Sequence, residues 1–234
     1  MMELYFGKQI DENKIILDQD ESNHLINVKR YRNGESVFVT DGEGHLFTTS
    51  FEKIEKKNCL LNIIEQIKHE KNSFSLHVAI APTKSIERIE WFLEKATETG
   101  IDEISFLRCR HSERKDIKLD RLNRIVISAM KQSIKTFLPK LNPIVDFNTF
   151  IAANISNIKL ICSMGAEKNK HFKNTYIAGK NLVALIGPEG DFHPDELQFA
   201  LQNDFLLTSL GNSRLRTETA ALTVCTLLNF INSQ

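Results

Sequence analysis

The most constraining feature of the sequence is the apolar run Leu182–Ile186, which leads directly into the loop Gly187-Pro188-Glu189-Gly190. A short apolar run bounded by turn residues is typical of a buried strand, and His193-Pro194-Asp195-Glu196 is typical of a helix start. A loop between such elements turns backbone N–H groups outward at the carboxyl end of a parallel strand, where α/β folds bind ligands. Taken alone, the two glycines would fit an ordinary turn equally well.

Further loops of the same kind favour a ligand site over an ordinary turn. Residues 205–216 run from an apolar strand into a loop around Gly211, and an apolar helix follows. The apolar run 158–162 ends in Ser163-Met164-Gly165, which predicts a third loop at a strand end. From Phe74 onward strands alternate with helices, which predicts an α/β fold with a mostly parallel sheet flanked by helices.

The first part of the chain has a different pattern. Residues 4–68 alternate between apolar and polar side chains in the manner of short strands, with a hairpin turn at 41–44. The alternation stops at the polar stretch 69–73, where long helical patterns begin. We therefore expect two domains, a small β-rich domain over residues 1–70 and an α/β domain over residues 74–234.

Composition and charge indicate an ordinary globular protein with one basic region. Of the 234 residues, 41% are hydrophobic and 26% are charged, which argues against disorder. The formal net charge is zero. Between Arg108 and Lys140, however, ten Lys or Arg residues stand against three acids, a surplus of seven. This surplus predicts a surface that binds a polyanion.

Several classes of protein are excluded by the motifs that the sequence lacks. It has no charged-then-apolar start and no apolar run near the roughly 18 residues of a membrane span, so we expect a cytoplasmic protein without membrane contact. Cys59, Cys109, Cys162 and Cys225 are far apart and no His pair has ligand spacing, so we expect reduced thiols and no metal. The glycine fingerprints of dinucleotide and P-loop sites and the GxSxG elbow are absent.

Two predicted helices carry cations that could contact nucleic acid. In the first, 84–99, Trp91 lies on the basic face, which indicates stacking on a base or ribose, a protein partner, or a tryptophan covered by a loop. The second, 118–134, carries a stripe of basic side chains along one face. Few acids accompany this basic stripe, which favours contact with a polyanion over exposure to solvent. For His24 and Arg30, in the N-terminal part of the chain, the alternative is a helix face exposed to solvent. The candidates are His24, Arg30, Lys84, Arg88, Arg110, Arg114, Arg121 and Arg124.

The glycine loops belong to longer segments that resemble a known signature. These segments are Ile186-Gly187-Pro188-Glu189-Gly190-Asp191-Phe192, Leu210-Gly211 and Leu215-Arg216-Thr217-Glu218-Thr219-Ala220. Together they resemble the paired signature of the RsmE-type 16S ribosomal RNA uridine N3-methyltransferases, of the SPOUT superfamily. Leu4-Tyr5-Phe6 and Lys95-Ala96-Thr97-Glu98 also match, so the resemblance spans nearly the whole chain. Residues 212–215 depart from the loop's common pattern.

The resemblance implies an architecture and an activity. It implies a PUA-like β-barrel that binds RNA at the N-terminus, and a C-terminal SPOUT domain whose chain is threaded into a trefoil knot. It further implies a homodimer that binds S-adenosylmethionine in the knot loops. Its substrate would be N3 of a decoding-region uridine in the 16S rRNA of the small ribosomal subunit.

The residues of the loops suit this chemistry. Backbone groups and apolar side chains of the loops can hold adenine and ribose, and glycine permits close approach. The expected cofactor-binding residues are Ser163, Met164, Ile186, Gly187, Pro188, Gly190, Leu210, Gly211, Leu215, Thr217, Thr219 and Ala220. Uridine N3 must lose a proton, so a carboxylate or an oxyanion-stabilising cation would help, and Arg216, Glu189 and Glu218 are the catalytic candidates. Glu218 would equally serve the dipole of the last helix.

Two other functions stay open on the sequence alone. A related knotted methyltransferase acting on transfer RNA would use the same loops. A non-catalytic RNA-binding assembly factor would account for the basic stripe, although it leaves the glycine loops unexplained.

Overall fold

A computed structural model describes residues 3–28, 35–55, 57–153, 156–166 and 170–233. The chain forms two compact units. The first comprises Met1–Lys71 with Ile127–Leu138, and the second comprises Asn72–Val126 with Pro139–Gln234.

The first unit is a closed five-stranded barrel with the strand order β1-β2-β5-β4-β3. Its strands are β1 (Leu4–Asp11), β2 (Lys14–Leu17), β3 (Ser36–Thr40), β4 (His45–Glu55) and β5 (Asn58–Lys68). Parallel pairing of β1 with β3 closes the barrel, and the predicted hairpin is the antiparallel pair β3–β4. The interior is filled by inward-facing residues such as Leu17, Val39, Phe47 and Leu61. One helix, α1 (Gln19–Asn23), continues into a π-helical turn over His24–Val28.

A later segment of the chain, Ile127–Leu138, completes this unit. The Leu138 N–H donates to the Gly42 carbonyl at 2.8 Å, and the Gly44 N–H donates to the Thr136 carbonyl at 2.9 Å. Gly44 has φ +101°, and a methyl group on it would lie 2.5 Å from the ring of Phe137. Only glycine fits this position, because any side chain would displace the ring.

The second unit contains a six-stranded sheet in the order β11-β9-β10-β6-β7-β8. Its strands are β6 (Leu76–Ile80), β7 (Glu103–Arg108), β8 (Lys140–Asp146), β9 (Ile158–Cys162), β10 (Leu182–Ile186) and β11 (Leu206–Thr208). All neighbouring strands pair in parallel. The helices are α2 (Ile86–Thr99), α3 (Leu119–Gln132), α4 (Phe147–Ala153), α5 (Phe172–Thr175), α6 (Pro194–Gln202) and α7 (Thr217–Asn232).

The position of β10 explains its continuous apolar sequence. It pairs with β6 on one side and β9 on the other, and all five of its residues are buried. Val183 and Leu185 pack with residues of α4 and α6, while α7 contacts β10 and β6. A strand buried on both faces cannot show polar alternation. The predicted fold class, a β-barrel followed by a parallel sheet flanked by helices, is confirmed, and the trefoil knot stays a prediction.

One strand, β8, was not predicted from the sequence. β8 lies at the sheet edge beside β7, and none of its residues is fully buried. It contains Pro143, which an edge strand tolerates because the backbone nitrogen of proline can face away from the neighbouring strand. A partly exposed, proline-containing edge strand lacks the apolar run by which the other strands were predicted.

Candidate active site

The predicted loops of the second unit meet around one cavity of about 630 Å³. They follow β9, β10 and β11, which are adjacent in the sheet, so their carboxyl ends lie at one edge. The lining residues are Cys162, Ser163, Met164, Ile186, Gly187, Pro188, Glu189, Gly190, Asp191, Ser209, Leu210, Gly211, Ser213, Arg214, Leu215, Arg216, Thr217 and Ala220. Apart from Thr219, all residues expected to bind cofactor are among them. Of the catalytic candidates, Glu189 and Arg216 line the cavity and Glu218 does not.

The glycines of the loops serve different purposes. A methyl group on Gly187 would lie 3.1 Å from the ring of the buried Phe192, so Gly187 makes room for that side chain. Gly211 has φ +127° and faces open space, so glycine is needed there for the backbone conformation. The Thr217 hydroxyl donates to the Gly187 carbonyl at 3.1 Å and ties the start of α7 to the β10 loop.

Asp191 joins two of the loops and was missed as a site residue by the sequence analysis. Its Oδ2 accepts hydrogen bonds from the Ser163 hydroxyl at 2.8 Å and from the Met164 N–H at 3.2 Å. Its carbonyl oxygen lies 3.2 Å from Nδ1 of His111. The backbone of Asp191 has φ +67°, a conformation that few residues other than Gly, Asn and Asp adopt. The sequence signal that could have identified Asp191 as a site residue is its position directly after Gly190.

Cys162 lines the cavity but is not a nucleophile at neutral pH. Burial, followed by the negative charge of Asp191, raises the pKa of its thiol to about 12. Only the thiolate form of cysteine is strongly nucleophilic. Covalent catalysis by this side chain is therefore disfavoured.

A hydrogen bond joins Glu189 to the segment that follows β6, and Arg114 bonds to the same segment. Its Oε1 accepts from the backbone N–H of Lys84 at 3.1 Å. Arg114 donates through Nε to the Thr83 carbonyl at 3.1 Å and through Nη2 to the Lys84 carbonyl at 2.6 Å. Arg114 was expected to contact RNA, yet its guanidinium is directed at backbone that positions Glu189.

Glu218 lies apart from the cavity. It is buried in the first turn of α7, and its Oε1 is 3.9 Å from Nε of Arg88 on α2. Its Oε2 is buried and has no hydrogen-bond partner within the described ranges of the chain. A carboxylate at this position interacts favourably with the N-terminus of α7, the alternative that the sequence had left open.

Arg216 and Arg214 are the free cations of the cavity. Both are exposed, and neither guanidinium group has a hydrogen-bond or ion-pair partner among the described residues. Every other arginine in the described ranges has one. These paired residues are Arg88, Arg108, Arg110, Arg114, Arg121 and Arg124.

The basic stripe of α3 has partners that the sequence could not reveal. Arg121 pairs with Glu90 of α2 at 2.6 Å, and Lys131 pairs with Glu21 of the barrel unit. Arg124 donates to the Asp120 carbonyl of its own helix at 3.4 Å. The inference that acids are nearly absent was therefore wrong, because it counted only acids within the same segment.

The remaining RNA candidates are distributed over the chain. His24 lies 3.4 Å from Glu3, Lys84 lies 3.1 Å from Glu113, and Arg110 lies 2.9 Å from Asp195. Arg30 lies outside the described residues. Trp91 on α2 is 42% exposed, so it is not covered by a loop of the described chain. Contact of these residues with RNA stays a prediction.

Among the residues that the structure covers, no three His, Cys, Asp or Glu side chains are grouped so that they could hold a metal ion. None of the helices in the same ranges has the length and apolarity needed to span a membrane.

Comparison with known proteins assigns the class. The model of an RNA methyltransferase domain matches residues 70–229, and that of an RNA methyltransferase PUA domain matches residues 17–64. With the barrel and the looped parallel sheet, these matches define a PUA-containing RNA methyltransferase.

Full-length relatives assign the family. The chain is 30% identical over 231 residues to ribosomal RNA small subunit methyltransferase E of Mesomycoplasma hyopneumoniae, covering 95% of this chain and 96% of that protein. The crystal structure of a probable rRNA-methyltransferase from Porphyromonas gingivalis superimposes with a TM-score of 0.92 at 38% identity, over 99% of both chains. The methyltransferase E of Neisseria gonorrhoeae, bound to S-adenosyl methionine, gives a TM-score of 0.87 at 25% identity, over 99% of this chain and 98% of the other. The protein belongs to the ribosomal RNA small subunit methyltransferase E family.

Proposed function

We propose that this protein uses S-adenosylmethionine to methylate N3 of a uridine in the decoding region of 16S ribosomal RNA. The observation that carries the proposal is the cavity formed by the three loops after β9, β10 and β11 in a chain of this family. The Neisseria relative is described as bound to S-adenosyl methionine, and other relatives are named as small-subunit rRNA methyltransferases.

The cavity fits the cofactor in size and in lining. A volume of about 630 Å³ lies within the range of roughly 300–1,000 Å³ that small-molecule sites occupy. Ile186, Leu210, Leu215 and Ala220 offer apolar surface to an adenine ring, while the glycine loops offer backbone N–H and C=O groups. When bound, S-adenosylmethionine supplies an electrophilic methyl group.

The polar residues of the cavity supply the remaining chemistry. The N3–H of uridine is a weakly acidic imide, so the proton must leave N3 before or during bond formation to the methyl carbon. Glu189 is the carboxylate at the cavity and is suited to orient the imide or accept its proton. The guanidinium of Arg216 has no partner in the described part of the chain and is suited to stabilise negative charge on the uracil oxygens. We assign Glu218 no part in the chemistry, because it lies at the start of α7, 3.9 Å from Nε of Arg88, and does not line the cavity.

The partners follow from the same proposal. The substrate is free 16S rRNA or the small ribosomal subunit, the protein works in the cytoplasm beside it, and residues 1–70 bind RNA. A homodimer is supported by large apolar side chains exposed on the packed helices α2 and α7, Trp91 and Phe230. Sedimentation of the purified protein measures the oligomeric state.

The function has a direct test. Ribosomal RNA from cells lacking this gene should lose one methyluridine by mass spectrometry, and purified protein should restore it with S-adenosylmethionine. Loss of a methylated base from transfer RNA instead would favour the alternative substrate. Absence of any heat on titration with S-adenosylmethionine would favour a non-catalytic RNA-binding factor.

A variant at Arg216 tests the assigned chemistry. Arg216→Ala should keep its fold and its affinity for S-adenosylmethionine, because the cofactor needs no cation there. Its turnover number should fall by about a hundredfold, the range seen when one oxyanion-stabilising donor is removed. A wild-type rate in this variant would remove Arg216 from the mechanism.

A further inference from the structure

The loop before α7 carries two arginines whose guanidinium groups have no partner among the described residues. Arg214 and Arg216 both line the cavity and are exposed, while each of the other arginines in the described ranges bonds to an acid, a carbonyl or both. Two unpaired guanidinium groups on one loop give it a local positive charge, which favours binding of an anion there.

The acids of the cavity do not neutralise these arginines. Glu189 accepts a hydrogen bond from the Lys84 N–H, and Asp191 accepts from Ser163 and Met164. Both carboxylates therefore accept hydrogen bonds from other segments, and neither forms an ion pair with Arg214 or Arg216 among the described residues. The positive charge of the rim remains available to a ligand, and a guanidinium binds a phosphate with two parallel N–H donors.

The two arginines differ in place. Arg216 is the N-cap of α7 and precedes Thr217, whose hydroxyl bonds to Gly187 at the base of the β10 loop. Arg214 lies farther from the helix, in the run of exposed residues 211–214. A nucleoside whose base enters the cavity leaves its flanking phosphodiesters at the rim. Arg216 is therefore placed toward the base and Arg214 toward the backbone.

We propose that Arg214 binds a backbone phosphate of the RNA directly beside the target nucleoside. This assignment rests on the proposed function and adds a substrate-binding residue to it. It separates two tasks on one loop, with Arg214 holding the nucleotide in register and Arg216 acting on the base.

The first test compares kinetic constants. Arg214→Ala should raise the KM for RNA about tenfold, the effect of losing one hydrogen bond to a charged group, with kcat within about twofold of wild type. The salt dependence of RNA binding should weaken by about one counterion. Arg214→Lys should recover most of the affinity, because an ammonium group also binds phosphate. A lower kcat at unchanged KM would overturn the assignment.

The decisive test pairs the variant with altered RNA. A synthetic 16S decoding-region oligonucleotide is made with a single uncharged methylphosphonate linkage on one side or the other of the target uridine. At one of the two linkages, this change should weaken binding to wild type about tenfold but to Arg214→Ala by less than about twofold. Equal, additive losses in both proteins at both linkages would overturn the proposal.

Controls separate the failure of this proposal from the failure of the function. Arg108→Ala, which removes an exposed arginine paired with Asp146 at 3.6 Å, should show additive losses at both linkages. Affinity for S-adenosylmethionine and melting temperature verify that Arg214→Ala is folded. If wild type methylates the unmodified oligonucleotide and coupling is absent, the Arg214 assignment alone fails. If wild type binds no cofactor and methylates no uridine, the proposed function fails with it.

Discussion

Asp191 shows how one residue fixes the shape of the candidate active site. Its left-handed backbone costs roughly 1 kcal/mol relative to an ordinary conformation. The carboxylate offsets this cost by bonding to Ser163 and Met164, which makes the β9 loop part of the cavity wall. The sequence placed this residue inside a known signature but could not show that its side chain reaches a loop 27 residues away.

Replacement of Asp191 by glycine tests the role of its carboxylate. Asp191→Gly should relieve the backbone strain yet release Ser163 and Met164, so overall stability should change by less than about 1 kcal/mol while cofactor affinity falls about tenfold. Calorimetry with S-adenosylmethionine measures the affinity.

The matched control is Asp204→Gly. Asp204 has φ +66°, and the one ion-pair partner of its carboxylate among the described residues is Lys159, at 3.7 Å. This variant should leave cofactor affinity unchanged. Equal loss of affinity in both variants, or none in Asp191→Gly, would contradict the role given to the carboxylate.

At the scale of elements, the segment between β6 and α2 is bonded to two other segments of the second unit, through Arg114 and through Glu189. Its carbonyls at Thr83 and Lys84 accept from Arg114, and its N–H at Lys84 donates to Glu189. Because this segment bonds to both residues, Arg114 can influence the position of the Glu189 carboxylate without contacting it. Arg114 is half-buried in this structure, and we expect it to position Glu189.

Arg114→Ala should lower kcat about tenfold, because small misplacements of a catalytic group are costly. The affinity for RNA and its salt dependence should not change. Arg108→Ala, with its acid partner on β8, is the control and should keep the wild-type turnover number. If Arg114 instead contacts a phosphate, its removal weakens RNA binding and lowers the salt slope by about one.

Elements with strong local signals could be predicted, and those that depend on distant partners could not. β10 and its loop were evident because five apolar residues precede Gly187. The helix α6 was evident because His193 and Glu196 form a capping box at its start. Glu90 as partner of Arg121, and the edge strand β8, follow from tertiary packing that no local pattern encodes.

At the scale of the whole molecule, the compact unit that contains the barrel is not made by a continuous stretch of chain. Ile127–Leu138 belongs to the same compact unit, and its Thr136, Phe137 and Leu138 bond to or pack on the turn at 42–44. The boundary expected at 69–73 rests on local alternation, which ignores residues that return from later in the sequence.

A fragment of residues 1–71 should therefore be less stable than one to which residues 127–138 are joined by a flexible linker. The difference should be at least about 2 kcal/mol, from the lost hydrogen bonds and the contact of Phe137. Urea unfolding followed by circular dichroism measures it. A third fragment with the added residues in shuffled order is the control, and equal stability of all three would contradict the prediction.

The buried cysteines have a practical consequence. Cys59, Cys109, Cys162 and Cys225 are all buried, so we expect them to react slowly with thiol reagents in solution. Asn212→Cys, on the exposed part of the loop before α7, would thus introduce a single accessible thiol without removal of any native one. A fluorophore attached there would report loop movement as cofactor and RNA arrive.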